Sequence, residues 1–248
     1  MNAAIILAGG VGSRVGADIP KQFIKVLGKP VLAYTIEIFQ NHPEVDLIEV
    51  VCHPQWREYL QDMIAEYGFT KVKYVCDGGG TFQESVLNGI NNLNGKISGD
   101  DTVLIHFGAS PFIEEDIISD CIRVCRTRNN AISTTDYYLL CGIKKSNASV
   151  SDPENYTDTY VNRDTIACMN SPHGFRYDFI CNMYKEAVET GIINEVEPHT
   201  TTLMYRMGLP IYFSAGSQTN IKITRKEDLD LFEGYVLMKE RRKQQKEV

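Results

Sequence analysis

Apolar positions along the chain fall into runs of two kinds. Short, mostly apolar runs over 3–7, 47–52, 72–76, 102–106 and 131–137 have strand length, whereas 31–40, 55–67, 82–93 and 114–126 repeat their apolar residues at helical spacing. The two kinds alternate, which predicts an α/β fold: a Rossmann-like, doubly wound, mainly parallel sheet with helices on both faces. Ligands of such sheets bind outside the carboxyl ends of the strands. A glycine loop after Leu7, a glycine turn at 78–80 after Cys76, and the HFGASP segment after Ile105 all lie at such ends.

The rhythm breaks over 139–163, which is rich in Asn, Ser and Asp and has room only for short strands. A protruding arm or hairpin is expected there. Beyond it the pattern predicts helices over 174–190 and 200–207, a strand over 211–215, and a long helix from 226 to the end. No Pro/Ser-rich linker divides the chain, so one domain over 1–248 is expected, with the arm about 139–163.

Composition narrows the function classes. With 43% hydrophobic and 23% charged residues the chain has the balance of a globular protein. A formal charge of −7 disfavours a general binder of nucleic acid or anionic membrane, so positive charge must act locally, with Arg14, Lys21 and Lys222 as candidates. No leader pattern and no apolar run of spanning length is evident, and a cytoplasmic protein is expected. The seven cysteines are scattered through apolar runs and read as buried free thiols. The basic run over 239–246 reads as a solvated helix end.

The richest chemistry lies in LAGGVGSRVGADIPKQ. Gly9, Gly10 and Gly12 are expected to turn through positive φ and let backbone amides approach anionic oxygens, while Arg14 and Lys21 supply charge. The spacing matches neither the P-loop, which ends in Gly-Lys-Ser/Thr, nor the dinucleotide fingerprint GxGxxG. A tight strand-to-helix turn would need the glycines but not the two cations.

LAGGVGSRVGADIPKQF, GGGTFQESVLNGI, IHFGASPFI, SPHGF and TNIKITRKEDL occur in the order and approximate spacing of the IspD/TarI-type cytidylyltransferases, which the chain resembles over its whole length. The resemblance implies a GT-A-like nucleotidyltransferase fold, with CMP moved from CTP to a sugar-alcohol phosphate in isoprenoid or CDP-polyol biosynthesis. By the same resemblance Leu7, Ala8, Gly9, Gly10, Val11 and Gly12 wrap the triphosphate, and Arg14, Lys21 and Lys222 are the catalytic cations. Gly79, Gly80 and Ser85 read the cytosine. Mg²⁺ would ride mainly on the nucleotide phosphates, and a homodimer joined through the arm is implied.

The acceptor side departs from the family. Where the family reads His-Asp-x-x-Arg-Pro, this chain has His106, Phe107, Gly108, Ala109, Ser110 and Pro111, so that a carboxylate and a guanidinium are missing. Phe82 stands where an arginine is common, Leu139 and Leu140 fall near an expected Asp-Thr pair, His199 and Thr200 occupy the region of an acidic pair, and His173 replaces a glutamine. Arg163 matches an arginine that grips the acceptor phosphate, and Ser171 replaces a threonine beside it. Phe107, Ser110, Arg163 and Ser171 are therefore the acceptor-side candidates. Retention of the triphosphate-binding residues points to an enzyme with a changed acceptor. The alternatives are a catalytically retired nucleotide binder, or a sugar-phosphate nucleotidyltransferase using another base.

Overall fold

The computed structural model describes residues 1–10, 19–147 and 149–246. Its centre is a seven-stranded sheet built from β1 (Asn2–Ala8), β4 (Leu47–Cys52), β5 (Val72–Asp77), β6 (Thr102–Phe107), β7 (Asn130–Asp136), β10 (Ala167–Arg176) and β11 (Phe213–Ala215). The spatial order is β11-β7-β10-β6-β1-β4-β5. β1 pairs in parallel with β4 and β6, β4 with β5, and β11 with β7, while β10 runs antiparallel to both β6 and β7. The carboxyl ends of β1, β5 and β6 consequently open on one edge.

β1 and β4 are almost wholly buried and, apart from Asn2 and Glu49, apolar, because both of their faces are covered. On one face Ala4, Ile6 and Ala8 pack with α1 (Val31–Asn41), α2 (Arg57–Glu66) and α4 (Glu115–Arg128). On the other, Ala3 and Ile5 pack with α3 (Phe82–Asn92), α5 (Tyr177–Glu189) and α6 (Thr200–Arg206). The small hairpin β2 (Lys25–Val26) and β3 (Lys29–Pro30) leads into α1. α7 (Lys226–Lys246) closes the chain, seating Phe232 in a third cluster with Val26, Val31, Ala109, Phe112 and Ile223.

One element differs from the sequence reading, and the arm takes the hairpin form expected of it. The helix expected over 174–190 begins only at Tyr177, because Gly174, Phe175 and Arg176 complete β10, a strand the periodicity did not reveal. Pro172 sits inside it, at a register shift between Asn170 and His173, and an interior proline normally argues against a strand. The arm consists of an antiparallel pair, β8 (Cys141–Ile143) and β9 (Thr159–Val161), with Leu140 84% and Tyr160 73% exposed. The seven cysteines are all free, with Cys52, Cys121 and Cys125 buried and the others half-buried.

Candidate active site

The chain leaves β1 at Ala8 and passes Gly9 against the turn that follows β5. A Cβ on Gly9 would lie 3.2 Å from the Gly78 Cα, so close backbone approach is what requires glycine there. Neither Gly9 nor Gly10 has positive φ, which corrects the conformational reason expected for them. A Cβ on Gly10 would meet nothing within 4 Å. Gln22 braces this loop from below, its Nε2 donating to the Ala8 carbonyl at 2.7 Å and the Gly10 carbonyl at 2.8 Å. Pro20 opens a single 3₁₀ turn, Lys21–Phe23, from which the Lys21 Nζ donates to the Ile223 carbonyl. The Ile223 amide in turn donates to the Ala109 carbonyl at 2.8 Å, tying together the loop exit, the NIKIT segment and the segment after β6.

The turn after β5 is held by the start of α3. Thr81 caps that helix, its Oγ1 accepting from the Glu84 amide at 3.1 Å, as polar N-caps do. The Glu84 Oε2 accepts from the Gly80 amide at 2.6 Å. The Ser85 hydroxyl donates to the Thr81 carbonyl and accepts from the Gly79 amide, both at 3.0 Å. Ser85 thus shapes the glycine turn, with its one proton already committed.

The third side is aromatic. The Lys222 Nζ lies 3.7 Å over the Phe107 ring centroid. Phe107 is 5.5 Å from Phe82 and 6.0 Å from His173, and Phe82 is 5.0 Å from His199. His173 is buried, and burial, with His106, His199 and Lys222 adding to it, pushes its imidazole down to about 3. Burial likewise takes His106 down to about 4, although its Nε2 donates to the Ser110 carbonyl at 2.9 Å. Both rings are neutral at pH 7.

These three sides enclose a cavity of about 460 Å³ at the carboxyl edge of the sheet. Glycine backbone, Lys21 and a serine on one flank, and two phenyl rings with Lys222 over one of them on the other, suit an anionic ligand with a less polar extension. A family model described as 2-C-methyl-D-erythritol 4-phosphate cytidylyltransferase matches residues 2–238. The chain belongs to the IspD family. Similar proteins include a ribitol-5-phosphate cytidylyltransferase of Lacticaseibacillus paracasei, 38% identical over 240 residues, covering 97% of this chain and 100% of that one. A 2-C-methyl-D-erythritol 4-phosphate cytidylyltransferase of Clostridium tetani is 36% identical over 95% of this chain and 90% of its own. Among solved structures, the 4-diphosphocytidyl-2C-methyl-D-erythritol synthase of Anaerococcus prevotii superposes with a TM-score of 0.76, covering 95% of this chain and 96% of that one at 24% identity, a likeness of fold. As an IspD family member, the protein is a CTP-dependent cytidylyltransferase.

Of the sequence candidates in this IspD-type chain, Leu7, Gly9, Gly10, Lys21, Gly79, Gly80, Ser85, Phe107 and Lys222 line the cavity. Ala8 lies behind it, 2% exposed. Val11, Gly12 and Arg14 fall outside the described residues. Three acceptor-side candidates are not on the wall. Ser110 and Ser171 are each 2% exposed, the first offering only its carbonyl to His106 and the second its carbonyl to Asn220 at 2.7 Å, because the segments carrying them turn inward to the core. Arg163 stands at the base of the arm, its guanidinium donating to the Tyr138 carbonyl at 2.5 Å. Gln22, His53, Thr81, Ala109 and Thr224 also line the cavity without having been singled out. Gln22 lay within the quoted PKQ, and only its downward brace was hidden. Nothing in the spacing of His53 signals its place.

Proposed function

We propose that the protein transfers CMP from MgCTP to a phosphate oxygen of a phosphorylated small molecule, of the broad class on which its relatives act, and releases pyrophosphate. The observation that carries this reading is the meeting of Gly9, Gly10, Lys21, Gly79, Gly80 and Lys222, from three distant stretches of chain, around one cavity. The acceptor oxygen forms a bond to the α-phosphorus as the bond from that phosphorus to the β-bridging oxygen breaks, and the electron pair leaves with pyrophosphate. No general base is required, since a phosphate monoester with a second pKa of about 6 is already largely dianionic at pH 7. Lys21 and Lys222 offset charge gathering on the phosphates, work that is mostly positioning and electrostatics. Arg14 joins them in this proposal, and Ser85 presents the glycine turn to the base.

Magnesium enters as part of the nucleotide. Among the described residues no group of three His, Cys, Asp or Glu side chains is placed to hold a metal, and the described cavity wall carries no carboxylate. Phosphate oxygens suit Mg²⁺, which keeps waters and few protein ligands in such sites. When bound it neutralises the departing pyrophosphate.

The proposal includes a homodimer joined through the arm, because Arg163 lies off its own chain's cavity wall and can serve an acceptor phosphate only in another copy's site. Among the described residues no helix is long and apolar enough to cross a membrane, and the proposed place of work is the cytoplasm. The test is thermal unfolding with Mg²⁺ and CTP, UTP, GTP, ATP or dTTP. A ligand at a hundred times its Kd adds about 2.7 kcal/mol of stability, and CTP should give the largest rise. Equal rises with all five would remove the cytosine assignment; none would remove nucleotide binding.

A further inference from the structure

The cavity has two unlike flanks, and the phenyl rings of the second offer a triphosphate no hydrogen bond of their own. Phe82 and Phe107 stand side by side on its wall, 5.5 Å between centroids, and His199 continues the row at 5.0 Å from Phe82. Phe107 is also the ring beneath the Lys222 ammonium. A phosphate drawn to Lys222 therefore has its first carbons delivered onto these two rings. Phenyl faces cannot accept hydrogen bonds from hydroxyls as oxygen or nitrogen groups do, and no carboxylate occurs among the described residues of the wall. Thr81, Thr224 and His53 supply polar groups elsewhere on the wall, but a hydroxyl laid against the two ring faces gives up water and gains no good partner from them, whereas a methylene gains contact.

We infer that the acceptor is a phosphate monoester with an apolar, sparsely hydroxylated carbon body, which lies on the Phe82–Phe107 wall while Lys222 draws in its phosphate. This inference rests on the proposed cytidylyl transfer and deepens it by naming the acceptor's chemistry. Phe107 and Phe82 are then specificity-determining residues for the reaction.

The experiment measures pyrophosphate release from MgCTP with three five-carbon phosphate monoesters: pentyl phosphate, 5-hydroxypentyl phosphate and ribitol 5-phosphate. Carbon number is constant and hydroxyl number rises. An apolar pocket discriminates against an added hydroxyl by about a hundredfold at most, so kcat/KM for ribitol 5-phosphate should be about 10- to 100-fold below that for pentyl phosphate. Phe107→Asp should reverse the order by giving hydroxyls an acceptor, while Phe107→Leu should keep it. Should Phe107→Asp fail to fold, as read by its melting curve, Phe82→Gln should still narrow the gap. Ribitol 5-phosphate used as well as pentyl phosphate by the unmodified protein overturns the inference and leaves cytidylyl transfer standing. So does CTP-induced stabilisation without turnover of either weakly hydroxylated ester. Absence of any CTP-induced stabilisation is the separate result that removes the proposed function itself.

Discussion

Lys222 and Lys21 occupy the same cavity but are held differently. The Lys222 ammonium rests on the Phe107 face, an attraction worth about 0.5–2 kcal/mol, and Lys21 donates to the Ile223 carbonyl. Lys222→Ala should lower turnover by about a hundredfold, the loss expected for one preorganised charge donor, with a melting temperature lowered by only a few degrees for the lost contact with Phe107. Lys21→Ala should lower both, since it also unties Ile223. Pyrophosphate release and calorimetry on the two variants check this, and full activity in Lys222→Ala would remove that residue from the mechanism. A different residue controls pH dependence of stability. Glu49 is wholly buried in β4, and burial pushes its carboxyl up to about 7, against the opposing hydrogen bond from the Asn92 Nδ2 at 2.5 Å. The folded protein holds this proton more tightly than the unfolded chain. The stabilisation is therefore complete below about pH 4.5, the unfolded value, and is lost as pH rises through about 7. Glu49→Gln, which mimics the protonated form, should be close to neutral at pH 4 and more stable than the natural sequence at pH 8 by up to about 3 kcal/mol. Denaturant titration at both pH values measures it, and an equal difference at the two would contradict the argument.

At the scale of elements, α7 packs behind the segment that carries Lys222 without entering the site. Phe232 is buried, with its ring 5.0 Å from both Tyr34 and Phe112, and Ile223 packs in the same cluster. Phe232→Ala should cost about 3–5 kcal/mol, the usual penalty for removing a buried phenyl ring. It should also weaken CTP binding by loosening the segment that carries Lys222; an unaltered CTP titration in a folded variant would show that α7 only covers the core. Most elements were legible from their patterns, since α1 and α3 repeat apolar residues at helical spacing and β1 and β4 are short apolar runs. β10 was not. Its outer half carries polar residues and a proline, and its pairing with β6 and β7 joins residues distant in sequence.

For the whole molecule, the arm carries the decisive prediction. Tyr138, Leu139, Leu140, Ile143, Val150, Tyr156 and Tyr160 are all exposed, an apolar display that a lone chain leaves in water. A second copy would cover it. Light scattering should find a dimer, and deletion of 145–156 should yield a monomer with a lower turnover, because Arg163 would lose the place beside a second copy's cavity that the proposed dimer gives it. A monomer from the undeleted chain would refute the dimer.

The sequence alone determined the sheet class and singled out Gly9, Gly10, Lys21 and Lys222, which line one cavity, because strand ends, glycines and charged motifs are local signals read within a few residues. Tertiary structure alone decided that Gly9 is needed for its approach to Gly78, that Ser110 and Ser171 turn into the core, and that Phe82, Phe107 and His199 form one wall. Each of these depends on the separation of segments far apart in the chain, and that separation is set by strand pairing and packing, which no local spacing encodes.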